Sequence, residues 1–423
     1  MTKSSLPSAF WSIWAGQLIS NFATQVCLYS LGLYFLQKNG RLTSLASIAI
    51  TIQLAKVLIL PLLGRYLELW SPKLVMTIAN IARSAALFGI LYLMKSTTVS
   101  FVQLMPLVVL AAAAEVTLVI SFTALLDKLV PSERLPKAVG IAISSDGIAS
   151  QSAPFLGAIT IAMAGLAGIA AINVVSFVLA SLLLAFTIFP VSSQLHLRVG
   201  HPSSQRGLRS NLMTIWKMSG SRVLLLHSMT TAALLAAIEI LFPAWVLAYM
   251  GISRLNLALA MVLFGYVIGV SIWSRFGMSQ RAVIFFYAEC VQSVVLMGAG
   301  LQIFQDLSIV WLGGVLAYSI AIPIVCSAQQ YQWQLNLPQD SRTRYLAAVN
   351  GAVWISRIVA FVLVAFLVDR LLSEVSAWLA LPGWLQFAIG TDVGRPMALA
   401  LCGLGWLQAV GIVLMNQKVR ADF

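Results

Sequence analysis

The sequence predicts an all-α polytopic membrane protein, with twelve transmembrane helices in two six-helix bundles related by pseudo-twofold symmetry. Three observations carry that expectation. Hydrophobic residues make up 60% of the 423 positions and charged residues only 9%, too little polar surface to clothe a soluble fold of this size. Apolar runs of bilayer-spanning length, about 20 residues each, recur along the chain. A charged loop, Leu129-Val130-Pro131-Ser132-Glu133-Arg134-Leu135-Pro136-Lys137-Ala138, is echoed about 207 residues later by Asn336-Leu337-Pro338-Gln339-Asp340-Ser341-Arg342-Thr343-Arg344. In each, a proline is followed two residues on by an acid, then by basic residues, then by a long hydrophobic helix.

The twelve runs fall near 9–36, 43–66, 74–94, 101–126, 138–163, 167–190, 221–249, 255–276, 281–304, 308–334, 345–372 and 396–416. The sixth is separated from the fifth by a tight turn near Ala164-Gly165. Twelve spans place both termini on one side. Loops on that side hold about 17 of the Lys and Arg residues against 5 on the other, so the termini are expected in the cytoplasm. The net charge of +13 is therefore topological and does not point to nucleic acid. The first apolar run is too long and too polar-studded for a cleavable signal. Cys27, Cys290, Cys326 and Cys402 lie singly in apolar runs, and His196, His201 and His227 are scattered. No metal site or cofactor motif is legible.

Residues 1–190 and 221–423 are expected to form the two bundles, joined by a cytoplasmic linker over 191–220. Within it, 211–218 has the pattern of an amphipathic surface helix. A long external segment, 373–396, carries Trp378, Trp384 and Phe387 and fits a stretch lying in the membrane interface.

Local motifs then point to a family. Gly64-Arg65-Tyr66-Leu67-Glu68-Leu69-Trp70-Ser71-Pro72-Lys73 resembles the Gly-x-x-x-Asp-x-x-x-x-Arg/Lys signature of the major facilitator superfamily. Glu68 stands in the acidic place and Lys73 in the basic one, while Leu69 replaces the usual second basic residue. Ala153-Pro154-Phe155-Leu156-Gly157-Ala158 resembles the Gly-Pro-x-x-Gly-Gly motif of that superfamily's exporters. Trp14-Ala15-Gly16-Gln17-Leu18-Ile19-Ser20, with the two echoed loops, is similar to the branch holding enterobactin-type siderophore exporters and macrolide efflux pumps. The resemblance implies alternating access, with gating by Gly64, Glu68, Lys73, Pro154 and Gly157. It also implies that spans 1, 4, 7 and 10 line the cavity. Many relatives carry an Arg in the fourth span; this chain has Glu115 there instead.

Ionisable side chains inside a bilayer are costly, by about 2.5 to 3.5 kcal/mol on insertion scales, and mark candidate functional sites. They are Lys56, Arg83, Glu115, Asp146, Glu239, Glu289 and Arg357. Lys56 and Glu115 both lie about 20 Å below the outer ends of their helices at 1.5 Å per residue, and are expected to pair or share a proton. Two readings stand for them: a proton-coupling site or a static ion pair. Asp146 and Glu239 are further proton-coupling candidates, although Asp146 also fits a carboxylate wetted by the inner vestibule. Arg357 is placed to attract an anionic group or to pair with an acid across the halves. Arg83 and Glu289, on peripheral spans, read as structural. Gln17, Asn21 and Gln25 are spaced by four and share a helix face. Asn21, Gln25, Lys56, Arg357, Tyr318 and Gln329 are the substrate-contact candidates. Gly265 and Gly269 form a GxxxG packing pair.

The expected function is proton-coupled export of a small amphipathic molecule (a siderophore, a peptide or polyketide metabolite, or a drug). A lysolipid flippase, an importer, and a sensor that has lost transport are the alternatives. No ATP-binding motif and no nucleophile–base pair argue for an enzyme. The expected partners are substrate, protons and the lipid bilayer. The expected state is a monomer in a bacterial cytoplasmic (inner) membrane.

Overall fold

In a lipid core every backbone N–H and C=O must be satisfied within the chain, and long helices do this segment by segment. The computed structural model follows that rule. It describes residues 7–69, 71–94, 101–130, 135–186, 208–218, 220–275, 281–299, 308–338, 342–372 and 395–422. Among the described residues there is no strand. The helices are α1 (Ser8–Asn39), α2 (Leu42–Leu69), α3 (Pro72–Leu93), α4 (Phe101–Leu129), α5 (Leu135–Phe186) and α6 (Leu208–Lys217). They continue with α7 (Ser221–Arg275), α8 (Arg281–Ala299), α9 (Ser308–Asn336), α10 (Arg342–Phe366) and α11 (Arg395–Asp422), and a π-helical turn, Leu367–Leu372, follows α10. Among the described residues, six helices are long and apolar enough to cross a membrane.

The two longest helices, α5 and α7, are each two helical segments joined through one glycine. Gly165 (φ 56°) and Gly251 (φ 76°) turn the chain through backbone conformations that a side chain would strain. Each joint falls at a break between the expected runs.

The chain divides into two compact units. One comprises Met1–Asn39 and Thr51–Ser204, the other Gly40–Ile50 and Gln205–Phe423. The halves expected from sequence did not assign residues 40–50 to the second unit. A cap accounts for the assignment: Asp369, in the π-helical turn, accepts the first N–H groups of α2 at Leu42 (3.2 Å) and Thr43 (2.8 Å). A carboxylate there answers orphan backbone donors and the positive end of the helix dipole.

The repeat is visible in the elements themselves. Both bounds of α9 lie 207 residues after those of α4, and α10 begins 207 residues after α5. The echoed loops close alike. In the first unit α4 runs on to a buried Val130, whose N–H donates to Leu126 C=O at 3.0 Å. In the second, Leu337 is buried and donates to Trp333 C=O at 3.2 Å. Val130 joins Leu126, Phe122, Phe10 and Ala138 in one apolar cluster. Leu337 joins Trp333, Tyr345 and Ile215 in the other. The linker helix α6 turns Ile215 inward and leaves Met213 and Trp216 exposed, as its amphipathic pattern requires. Residues 191–207, the loop centres 131–134 and 339–341, and 373–394 of the external segment lie outside the described residues.

Glycine seams set the helix spacing. Gly157 presses on α1, where an added Cβ would stand 2.9 Å from Ser30 Oγ and 3.3 Å from Val26 O. Gly265 and Gly269 of α7 meet α9 around Ser319 and Pro323. Gly405 of α11 meets α8, where a Cβ would lie 2.7 Å from Met297 N, and Ser293 Oγ donates to Gly405 C=O at 2.8 Å. Close backbone approach of this kind replaces the hydrophobic drive that is missing between helices in lipid. Gly405→Val should therefore cost about 1–3 kcal/mol from overpacking, read as a lower melting temperature of the purified protein, whereas Gly403→Ala, which meets nothing within 4 Å, should leave it unchanged.

Candidate functional site

In the first unit, polar groups from three helices meet near mid-helix. Glu115 lies 14 residues into α4, about 21 Å along it at 1.5 Å per residue. It is 2% exposed and accepts a hydrogen bond from Gln25 Nε2 of α1 at 2.7 Å. Its charge acts on Arg83 of α3, the most deeply enclosed cation described, at 1% exposure. Arg83 Nη1 donates to Asn21 Oδ1 at 2.9 Å, and Nη2 donates to Asn80 Oδ1 at 2.8 Å and to Ser20 Oγ. Asn80 and Arg83 are three residues apart, so they share a helix face. Two donors of the guanidinium fork are thereby answered by α1 and one by its own helix. The cluster joins a carboxylate, a permanent cation and amides in a volume shielded from water, where charge interactions are strong.

This geometry corrects the expected partner of Glu115. Lys56 is partly buried on α2 and makes no ion pair among the described residues. The cation on which the Glu115 charge acts is Arg83, on a span expected to be peripheral. Asn21 is turned to Arg83 and Gln25 to Glu115. A signal for this was present: Ser20-Asn21 on one helix and Asn80-x-x-Arg83 on another are polar pairs in otherwise apolar runs.

In the second unit Arg357 of α10 donates through Nη2 to Glu239 of α7. This acid lies in the same unit, so the expected alternative of a partner in the other half is not what forms. Arg357 also stands over the Phe361 ring, 5.6 Å from its centroid. Glu239 is 49% exposed. Cys326 of α9 lies within electrostatic reach of Arg357, and Tyr318 stands eight residues before it on the same helix. Gln329 Nε2 donates to Thr231 Oγ1 of α7 at 2.8 Å, and Trp333 Nε1 donates to Ser228 Oγ at 3.0 Å.

Among the residues expected to gate, Pro154 is partly buried inside α5, one turn before the Gly157 seam. Lys73 is exposed at the start of α3, and its carbonyl accepts from Thr77 Oγ1 at 2.8 Å. The side-chain surroundings of Gly64, Glu68 and Asp146 lie outside the described residues.

Bundles of bilayer-length apolar helices mark an integral membrane protein. The chain belongs to the Major Facilitator Superfamily, whose profile matches residues 13–361. It is 22% identical over 388 residues to macrolide efflux protein A of Streptococcus pyogenes, covering 90% of this chain and 94% of that protein. Among solved structures it resembles a bacterial homolog of the lysosomal transporter Spinster (TM-score 0.64, 13% identity, 98% of this chain and 97% of that one). It also resembles a bacterial homologue of the iron transporter ferroportin (TM-score 0.61, 17% identity, 97% and 99%). The nucleoside transporter NupG has the same fold (TM-score 0.63, 13% identity, 97% and 99%).

Arg83→Met leaves Glu115 without its cation and strands the acceptors of Asn21 and Asn80. A loss of about 1–3 kcal/mol is expected for each buried acceptor left unsatisfied. Adding Glu115→Gln should restore part of it, with a coupling of about 0.5–3 kcal/mol in a double-mutant cycle of thermal unfolding. Strict additivity would show that Arg83 and Glu115 do not interact.

Proposed function

We propose that this transporter is a proton-coupled exporter of small amphipathic molecules of the macrolide type, working by alternating access. The buried Glu115, held by Gln25 and set against Arg83, carries the reading. A carboxylate sealed from water within reach of a fixed cation has two states: ionised against Arg83, or protonated when a substrate group takes the Arg83 or Gln25 contacts. Binding of one ligand then displaces the other, which is the requirement for antiport. Glu239 and Arg357 are assigned a second role. Their part-exposed pair opens to accept a polar or anionic group of the substrate, with Tyr318 and Gln329 as further contacts.

The macrolide class is taken from the efflux relative, which matches nearly the whole length of both chains. Asp146 remains a proton-coupling candidate, and Lys56 a substrate contact. Glu68 and Lys73, with Gly64, Pro154 and Gly157, are assigned to gating. The protein is assigned to the bacterial cytoplasmic membrane as a monomer, with both termini inside. Its bundles are taken as 1–190 and 221–423, joined by the linker.

Everted vesicles with an imposed pH gradient test the reading. A radiolabelled macrolide should accumulate when the lumen is acid, and collapse of the gradient should stop it. Glu115→Gln should abolish this accumulation while leaving gradient-independent counterflow. Unimpaired uphill transport in that variant removes Glu115 from coupling. Translocation of a fluorescent lysolipid without macrolide movement would favour a flippase instead.

Glu239→Gln and Arg357→Gln should each raise KM for the macrolide more than they lower the maximal rate. An exchange of the two charges should recover part of the loss. A fall in rate alone, at unchanged KM, would place the pair outside the substrate site.

A further inference from the structure

A second buried titratable pair stands apart from the groups used above. His227 lies six residues into α7 and Glu289 eight residues into α8. His227 Nε2 lies 2.9 Å from Glu289 Oε1, with side-chain exposures of 10% and 3%. The imidazole nitrogen is out of line for a full hydrogen bond, so the contact becomes an ion pair only when the ring is protonated. The ring edge meets Phe285 with centroids 5.7 Å apart.

Among the described residues, no other charge stands at ion-pairing distance from the two. On α7 the nearest charged residues along the chain are Arg222, whose guanidinium stands over Trp216, and Glu239, which is engaged by Arg357. On α8 the neighbouring titratable groups are Cys290, on which the Glu289 charge acts, and the exposed Tyr287. Helix α9 has no charged residue and offers Tyr318, Cys326 and Tyr331; the described side chains of α11 within 397–413 offer only Cys402. From α10 come Tyr345 and Arg357, and from α6 the exposed Lys217. His227 and Glu289 are thus each other's charged neighbour.

We infer that His227 and Glu289 form a second proton-binding site, contained in the second unit and separate from Glu115. With a neutral imidazole the pair carries one negative charge in a water-poor space; with a protonated one it is a neutral ion pair. One exchangeable proton separates these states, and histidine is the side chain suited to exchange it between about pH 5 and 8. The exposed sliver belongs to the imidazole while the carboxylate is sealed, so the proton enters at His227. A purely structural link would not need charge: on the same helix Gln292 joins Gln408 of α11 at 3.0 Å, and Ser293 joins Gly405. The repeat sharpens the contrast. The 207-residue offset carries Ser20 onto His227, and Arg83 onto the residue after Glu289. In the first unit the corresponding contact is closed by Arg83, a cation that does not titrate. In the second it is closed by a group that does. Protonation converts the α7–α8 contact from a charged site into a matched pair, and so ties the packing of these helices to pH.

The inference uses the transporter reading only for its consequence, and its test needs no substrate. In the full chain, purified in nanodiscs with His196 and His201 replaced by Gln, the 15N shifts of the labelled His227 imidazole are followed across about pH 5 to 8. A one-proton titration is expected. Glu289→Gln should move its midpoint to lower pH, Glu289→Asp should largely restore it, and Glu115→Gln should not alter it. An imidazole that keeps one charge state throughout, or a midpoint indifferent to Glu289→Gln, overturns the site. A normal His227 titration together with no gradient-driven transport would leave this site standing and remove the exporter reading.

Discussion

A guanidinium near the middle of a membrane helix has to be answered from within the protein, and much of the first unit is arranged around doing so for Arg83. Its donors reach two residues of α1 and one of its own helix, and the Glu115 charge balances it from α4. These contacts hold α1, α3 and α4 in one register. They also bring Gln25 to Glu115. The cost of leaving any member alone, several kcal/mol for a buried charge, makes the cluster both a structural tie and a place where a proton or a ligand has leverage. A transporter needs both properties in the same residues.

The two units show how a repeated scaffold acquires different chemistry. Helix bounds, the loop closures at Val130 and Leu337, and the apolar clusters beneath them follow one plan at a 207-residue interval. The charged groups do not. The first unit encloses its carboxylate and its cation almost completely, whereas the second leaves Glu239 open beside Arg357 and seals Glu289 against His227. Backbone spacing is preserved because glycine seams and apolar knobs specify it. Polar side chains are free to diverge wherever each finds a partner inside its own bundle.

Residues 40–50 show a further level. By chain order they begin a helix of the first half, yet they group with the second unit, where Asp369 accepts the N–H groups of Leu42 and Thr43. No periodicity in the sequence marks that assignment. It depends on a carboxylate more than three hundred residues away, presented by a π-helical turn.

What the sequence determined alone was the class: long apolar runs, their breaks near Gly165 and between 249 and 255, the echoed loops, and motif residues that resemble the superfamily's. These are readable because the bilayer imposes a length and a polarity on each segment independently of the others. It also named most residues of the candidate sites, since an ionisable group in an apolar run is conspicuous. Only the tertiary structure decided the partners. Glu115 and Lys56 lie at equal depth, and depth made them seem a pair; the direction each side chain faces gave Glu115 to Gln25 and Arg83 instead. Arg357 found its acid within its own unit, and Glu289, set aside as structural, met His227. Depth along a helix is a one-dimensional property that a sequence carries. Which side chains face each other is set by how helices rotate and how closely glycines let them approach, and that exists only once the bundle has packed.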